Sequence, residues 1–231
     1  MFFFDPMYFV FALPPMLLVL WAQAKVNGAY QKYAQIRNMA NMTGRQVADV
    51  LLQSLGLHDV SVEAVDGKLT DNYDPSSRTL HLSQGVYYSS SVAAMGIVAH
   101  ELGHAMQDAT GYAPLKLRSA LVPATNLGST LGYLLFFGGV VIHMSGLVWL
   151  GVGLFSLGLV FALMTLPVEL NASSRALAML KSNALVSTEE YDGAKSVLSA
   201  AALTYVAAVA QALGSLLYFV FVALGMSRRN D

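Results

Sequence analysis

The sequence predicts a mainly α membrane protein with about four transmembrane helices and one small α+β domain. Three observations carry that prediction. Hydrophobic residues fill 55% of the 231 positions and charged residues only 12%, whereas a soluble domain carries about 25% charged residues. Mean hydropathy is +0.54. Lys, Arg, Asp and Glu are absent from residues 6–24, 119–168 and 196–227, and a membrane helix needs about 20 apolar residues. The net charge of −1 leaves no electrostatic footprint for nucleic acid, so none is expected as a partner. No cysteine is present, which excludes disulfides and thiolate ligands; any metal must be held by His, Asp or Glu.

Residues 6–24 give the first transmembrane helix, with Pro14 and Pro15 expected to kink it. No basic stretch precedes it and no small-residue cleavage site follows, which favours an anchor over a signal peptide. Residues 25–118 form the one sizeable polar region, enough for a single small domain. Ala29–Asn41 is expected to continue the first helix. Thr43 with Gln46 three residues on is a capping box, and Val47, Val50, Leu51 and Leu55 form a helical stripe. Val60–Val65 alternates as a strand does, Asp66-Gly67 is a hairpin signal, and Asp74-Pro75-Ser76-Ser77 is a turn. Arg78–Ser83 is a second strand. Ser91–Ala109 is a helix ended by Gly111 and Pro114. Residues 119–168 are long enough for a helical hairpin turning at His143-Met144-Ser145-Gly146. Gly146, Gly151, Gly153 and Gly158 are expected to pack its helices. A helix and loop occupies 169–195, with Glu189-Glu190 in a first helical turn. Residues 196–227 give the fourth transmembrane helix.

Positive residues mark the cytoplasmic side. Eight lie between the first and second spans and three between the third and fourth, so eleven of thirteen share one face if the middle spans form a hairpin. Asp5 at the N-terminus, Arg228 and Arg229 would lie on the other face. The expected arrangement is multi-pass, with the polar domain on the cytoplasmic face.

One motif carries chemistry. His100-Glu101-Leu102-Gly103-His104 puts two histidines at i and i+4 on one helix face, one turn apart. That spacing lets both imidazoles reach one Zn2+ at ~2.0–2.1 Å. It places Glu101 against a zinc-activated water, as in metalloproteases. Zinc of this kind takes a third protein ligand and keeps an open position. A third His six residues on is excluded, since position 110 is Thr110. Of the later glutamates, Glu169 sits at the end of an apolar helix, where a charge requires a reason and a cation supplies one. The polar domain therefore reads as a zincin-like α+β metalloprotease domain with metal ligands His100, His104 and Glu169.

Asp74-Pro75, Leu82-Ser83, Val86-Tyr87-Tyr88, Ala99–Gln107 and Pro167-Val168-Glu169 with Ala172-Ser173 and Arg175-Ala176 together resemble the YugP-like neutral zinc metallopeptidases of bacterial membranes. The resemblance covers nearly the whole chain. It implies gluzincin-type zinc binding by His100, His104 and Glu169, with Glu101 as general base. It is also similar, more distantly, to HtpX-type membrane proteases, in which an acid lies one turn beyond the ligand Glu. Ser173 stands near that place here, so a partner for a ligand histidine must come from elsewhere, with Asn171 and Asp108 as candidates.

The expected function is hydrolysis of peptide bonds in a peptide or membrane-protein substrate, in contact with the lipid bilayer, alone or as a homo-oligomer or with membrane partner proteins. Arg78–Ser83 is the candidate edge strand for aligning substrate. Arg175, Tyr87, Tyr88 and Tyr191 are candidates for stabilising the transition state, and Asn171 and Ser173 for supporting the ligands. Two other readings exist. One is an intramembrane, site-2-type metalloprotease, against which the polar residues of 86–110 argue. The other is a catalytically silent zinc-binding scaffold, against which Glu101 argues.

Overall fold

The structure, a computed structural model, describes residues 6–230, with side chains through Ser227. Asp5 lies outside the described residues, as do the side chains of Arg228 and Arg229. The protein is mainly α. Four helices are long and apolar enough to cross a membrane: α1 (Pro6–Ala34), α5 (Ala113–Val141), α6 (Ser145–Ser182) and α7 (Thr188–Asn230). The chain divides into two units. One holds residues up to Ala22, Lys116–Pro167 and residues from Thr204 onward; the other holds Gln23–Leu115 and Val168–Leu203.

In the first unit, α5 and α6 form the expected hairpin, turning at His143 in the left-handed region (φ 57°). Their backbones approach closely. A Cβ on Gly151 would lie 2.6 Å from the Phe136 nitrogen, and one on Gly139 would lie 2.8 Å from the Val148 nitrogen. Gly146, Gly153 and Gly158 face open space instead, so of the four glycines expected to pack helices only Gly151 does. Pro14 and Pro15 lie inside α1 without ending it. Proline removes the i→i−4 hydrogen bond, which for Pro15 releases the Phe11 carbonyl. Gly214 of α7 faces that oxygen, where a Cβ would come within 2.6 Å. Phe136, Val140, Val148, Val152, Phe219 and Ala223 form this unit's buried cluster. Leu17, Leu20, Leu134, Val141 and Leu150 are exposed, the pattern of a surface facing lipid rather than water.

The second unit is built on a loop, a sheet and short helices. The helix from the first span ends at Ala34 rather than at Asn41, because the loop that follows has its own fastening. Buried Asn38 donates through Nδ2 to the Met42 and Ser90 carbonyls and accepts from the Met42 N–H. Glu190 accepts from the Met39 N–H and caps the start of α7 with Ser187. α2 (Gly44–Leu55) carries the capping box of Thr43 and Gln46 and ends at Gly56 in the left-handed region (φ 68°).

The sheet departs from the sequence reading. Its strands are β1 (Ser61–Val65), β2 (Asn72–Asp74) and β3 (Thr79–Ser83), in the order β1-β3-β2. β1 runs parallel to β3 and β2 antiparallel to it. Asp66-Gly67 is therefore not a hairpin. The hairpin is β2–β3, closed by Asp74, whose carboxylate accepts from the Ser76 N–H, the Ser76 hydroxyl and the Ser77 hydroxyl. β3 is central, so it cannot be the edge that takes a substrate strand.

A short α3 (Gln84–Tyr87) leads into α4 (Val92–Ala109), capped by the Ser91 hydroxyl and followed by Gly111 (φ 64°). Pro114 lies in the first turn of α5, where a missing N–H costs nothing. Leu51, Leu80, Leu82, Met95, Leu102 and Leu180 are fully buried and, with Ala194 and Leu198 of α7, form one core. This core orients one face of α4 toward the C-terminal part of α6.

Candidate metal centre

Gly103 sets the approach of the two helices that carry the site. A Cβ there would lie 2.5 Å from the Ala172 carbonyl oxygen, so only glycine lets α4 lie this close to α6. The approach brings together His100, His104 and Glu169, whose ligand atoms all lie within 4.8 Å of one another. Glu169 Oε2 stands 3.2 Å from His100 Nε2 and 3.5 Å from His104 Nε2. Glu169 is only 3% exposed.

These residues fit a metal. Tetrahedral zinc with bonds of ~2.0–2.2 Å holds its ligand atoms about 3.4 Å apart, close to the two separations above. The donors are imidazole nitrogens and a carboxylate, which suit zinc. Each histidine also has its other nitrogen occupied. His100 Nδ1 pairs with the Ser173 hydroxyl at 3.1 Å, and His104 Nδ1 with Gln107 Oε1 at 3.0 Å. Both Nε2 atoms are thereby turned to the same carboxylate oxygen, the arrangement that outer partners give to metal-ligating histidines.

Glu101 lies beside this cluster. Its Oε2 accepts the Tyr73 backbone N–H of β2 at 3.1 Å. Burial pushes its carboxyl above the ordinary range, against the pull of His100 and His104. For His104, burial lowers the imidazole, but Glu169 and Glu101 outweigh it and hold it above its usual value. Tyr73 is fastened at its other end as well: its hydroxyl donates to Asp108 at 3.1 Å. Glu101 and Asp108 are seven residues apart, two turns on one face of α4, so one tyrosine staples β2 to that helix at two points.

The remaining candidates fall into two groups. Ser173 reaches His100 directly. Asn171 Oδ1 accepts from Gln107 Nε2 at 3.0 Å and from Arg175 Nε at 2.8 Å, and the Arg175 guanidinium lies over the Tyr112 ring. Asp108 binds Tyr73 rather than a ligand histidine. Tyr87 packs edge-on against Tyr88, with ring centroids 4.7 Å apart. Three residues that sequence reasoning passed over stand at the centre. Gln107 had a signal, being one turn beyond His104 on the same face. Gly103 had a weaker one, a residue without a side chain between two ligands. Tyr73 acts through its backbone and had none.

A chain with four helices able to span a membrane and a His-Glu-x-x-His helix converging on a distant buried Glu defines a class, the membrane proteins with a zinc-peptidase type of metal centre. Comparison with known proteins agrees. The chain matches the family described as "Putative neutral zinc metallopeptidase" over residues 8–224. It is 43% identical, over 97% of its length and 100% of the relative's, to the "Putative membrane protease YugP" of Bacillus subtilis (strain 168). The chain belongs to this YugP-like zinc metallopeptidase family. No solved structure matches it.

Proposed function

We propose that the chain is a membrane-embedded zinc metallopeptidase that hydrolyses peptide bonds, with His100, His104 and Glu169 as the zinc ligands and Glu101 as the general base. The observation that carries this reading is the convergence of both Nε2 atoms on Glu169 Oε2, with the Glu101 carboxylate alongside. Zinc in such a site supplies Lewis acidity that activates water and polarises a carbonyl. Glu101 takes a proton from the attacking water and returns it to the leaving amine. The Tyr73 N–H fixes one of its oxygens and so orients the carboxylate. Burial, by raising the affinity of Glu101 for a proton, favours the first of these transfers, from the water to the carboxylate. Arg175, oriented through Nε by Asn171, is the favoured group for stabilising negative charge on the substrate. With β3 central, the strand offered to an extended substrate is β2, whose Tyr73 already touches the general base.

The substrate is a peptide or membrane protein. The active site faces the cytoplasm of a bacterial cytoplasmic membrane, a reading supported by the eleven positive residues on one side. Two facts weigh against a site inside a membrane span: α4 is not among the helices apolar enough to cross, and the third metal-binding candidate is a Glu. The test is metal content by mass spectrometry on the detergent-purified protein. The expected result is near one zinc per chain in the wild type and strong loss in Glu169→Ala. Full zinc in Glu169→Ala would remove Glu169 from the site, and no zinc in the wild type after reconstitution would sink the enzyme reading.

A further inference from the structure

Gln107 is the most deeply enclosed polar group near the site, with 0% exposure, and its amide is satisfied at both ends. Nε2 donates to the Val168 carbonyl at 2.8 Å and to Asn171 Oδ1 at 3.0 Å, while Oε1 faces His104 Nδ1 at 3.0 Å. The Val168 carbonyl can only accept, so the amide cannot turn round. Oε1 must therefore face the imidazole, and Nδ1 must carry the proton that it accepts. That leaves the Nε2 lone pair aimed at Glu169, one residue beyond the carbonyl that fixed the amide. A carboxylate at position 107 could hold His104 but would set a buried charge against the Val168 oxygen; an apolar residue could do neither.

From this we infer that Gln107 is a positioning residue. It fixes the tautomer and direction of His104 and ties that ligand to the backbone of the helix bearing Glu169. It acts also on Arg175, because the Asn171 oxygen that receives the Gln107 amide is the one that receives Arg175 Nε. A single buried amide thus joins both zinc-bearing helices and the cationic group beside them. The inference rests on the zinc reading above and deepens it.

The test uses the full-length protein in detergent. Zinc affinity is measured by chelator competition, and ligand geometry by the absorption of the cobalt-substituted protein. The variants are Gln107→Met, which keeps the volume and removes the amide; Gln107→Glu, which keeps an acceptor for His104; His104→Ala; and Phe136→Ala, a destabilising control on α5 in the separate buried cluster. The expected result is a zinc affinity about 10–100-fold weaker in Gln107→Met with an altered cobalt spectrum. Part of the affinity returns in Gln107→Glu, which keeps the acceptor for His104 but loses the donors to α6, and Phe136→Ala loses none. Gln107→Ala replaces the Met variant if that does not fold. Wild-type affinity in Gln107→Met, or equal loss in the Phe136→Ala control, would overturn the inference. If His104→Ala binds zinc as tightly as the wild type, the zinc-site reading fails too; loss in His104→Ala with none in Gln107→Met removes the inference alone.

Discussion

Glu101 and Glu169 are both glutamates beside the same two histidines, yet their surroundings differ. Glu169 directs one oxygen at both Nε2 atoms and is buried on α6. Glu101 points to the strand side, where a backbone N–H holds one oxygen. The prediction at this scale separates the roles. Glu101→Gln keeps the size and the Tyr73 contact but cannot accept a proton. It retains near one zinc per chain by mass spectrometry while hydrolysis of a fluorogenic peptide library falls by about 10²–10⁴-fold. Wild-type turnover in this variant would remove Glu101 as the base. Loss of zinc would show it to be a ligand.

The approach of α4 to α6 is the decisive relation between elements. It rests on Gly103 facing the Ala172 carbonyl and on the core formed by Leu102, Met95 and Leu180. Gly103→Ala inserts a methyl group against backbone, which no rotamer change can relieve. Overpacking of this kind costs about 1–3 kcal/mol. Thermal unfolding is expected to shift down, and zinc affinity to fall because the histidines move away from Glu169. An unchanged melting temperature with unchanged zinc affinity would show that the helices are not held by this contact. The capping box was legible in the sequence: Thr43 and Gln46 cap α2 where local chemistry indicated. Strand order was not, because Asp66-Gly67 and Asp74-Pro75-Ser76-Ser77 are both turn signals. Only the pairing of β3 between the other two decides which one closes a hairpin.

For the whole molecule, the absence of cysteine makes sidedness accessible to labelling. A single cysteine at exposed Lys68 is expected to resist a membrane-impermeant maleimide in intact bacteria and to react after lysis. One at Ile142, 61% exposed in the α5–α6 turn, is expected to react in intact cells. The reverse pattern would place the polar unit outside the cell and overturn the charge-based orientation. The extensive apolar exposure on α1, α5, α6 and α7 is costly in water, at about 1.5–3 kcal/mol for each large side chain that could otherwise be buried. That cost disappears in lipid.

By itself the sequence determined the membrane class, the four apolar helices, the hairpin turn at His143, and a His-Glu-x-x-His motif whose histidines meet Glu169. All of these depend on local properties: runs of apolar residues, the 3.6-residue period that aligns His100 with His104, and the rarity of a charge in an apolar helix. The tertiary structure alone decided that β3 is central, that Tyr73 holds Glu101, and that Ser173 and Gln107 occupy the outer nitrogens of the two histidines. The physical reason is that a buried polar atom must find a partner, and which partner it finds depends on how distant segments close on one another. Gln107 and Val168 are 61 residues apart, and no local pattern of side chains specifies that a particular backbone oxygen will stand there.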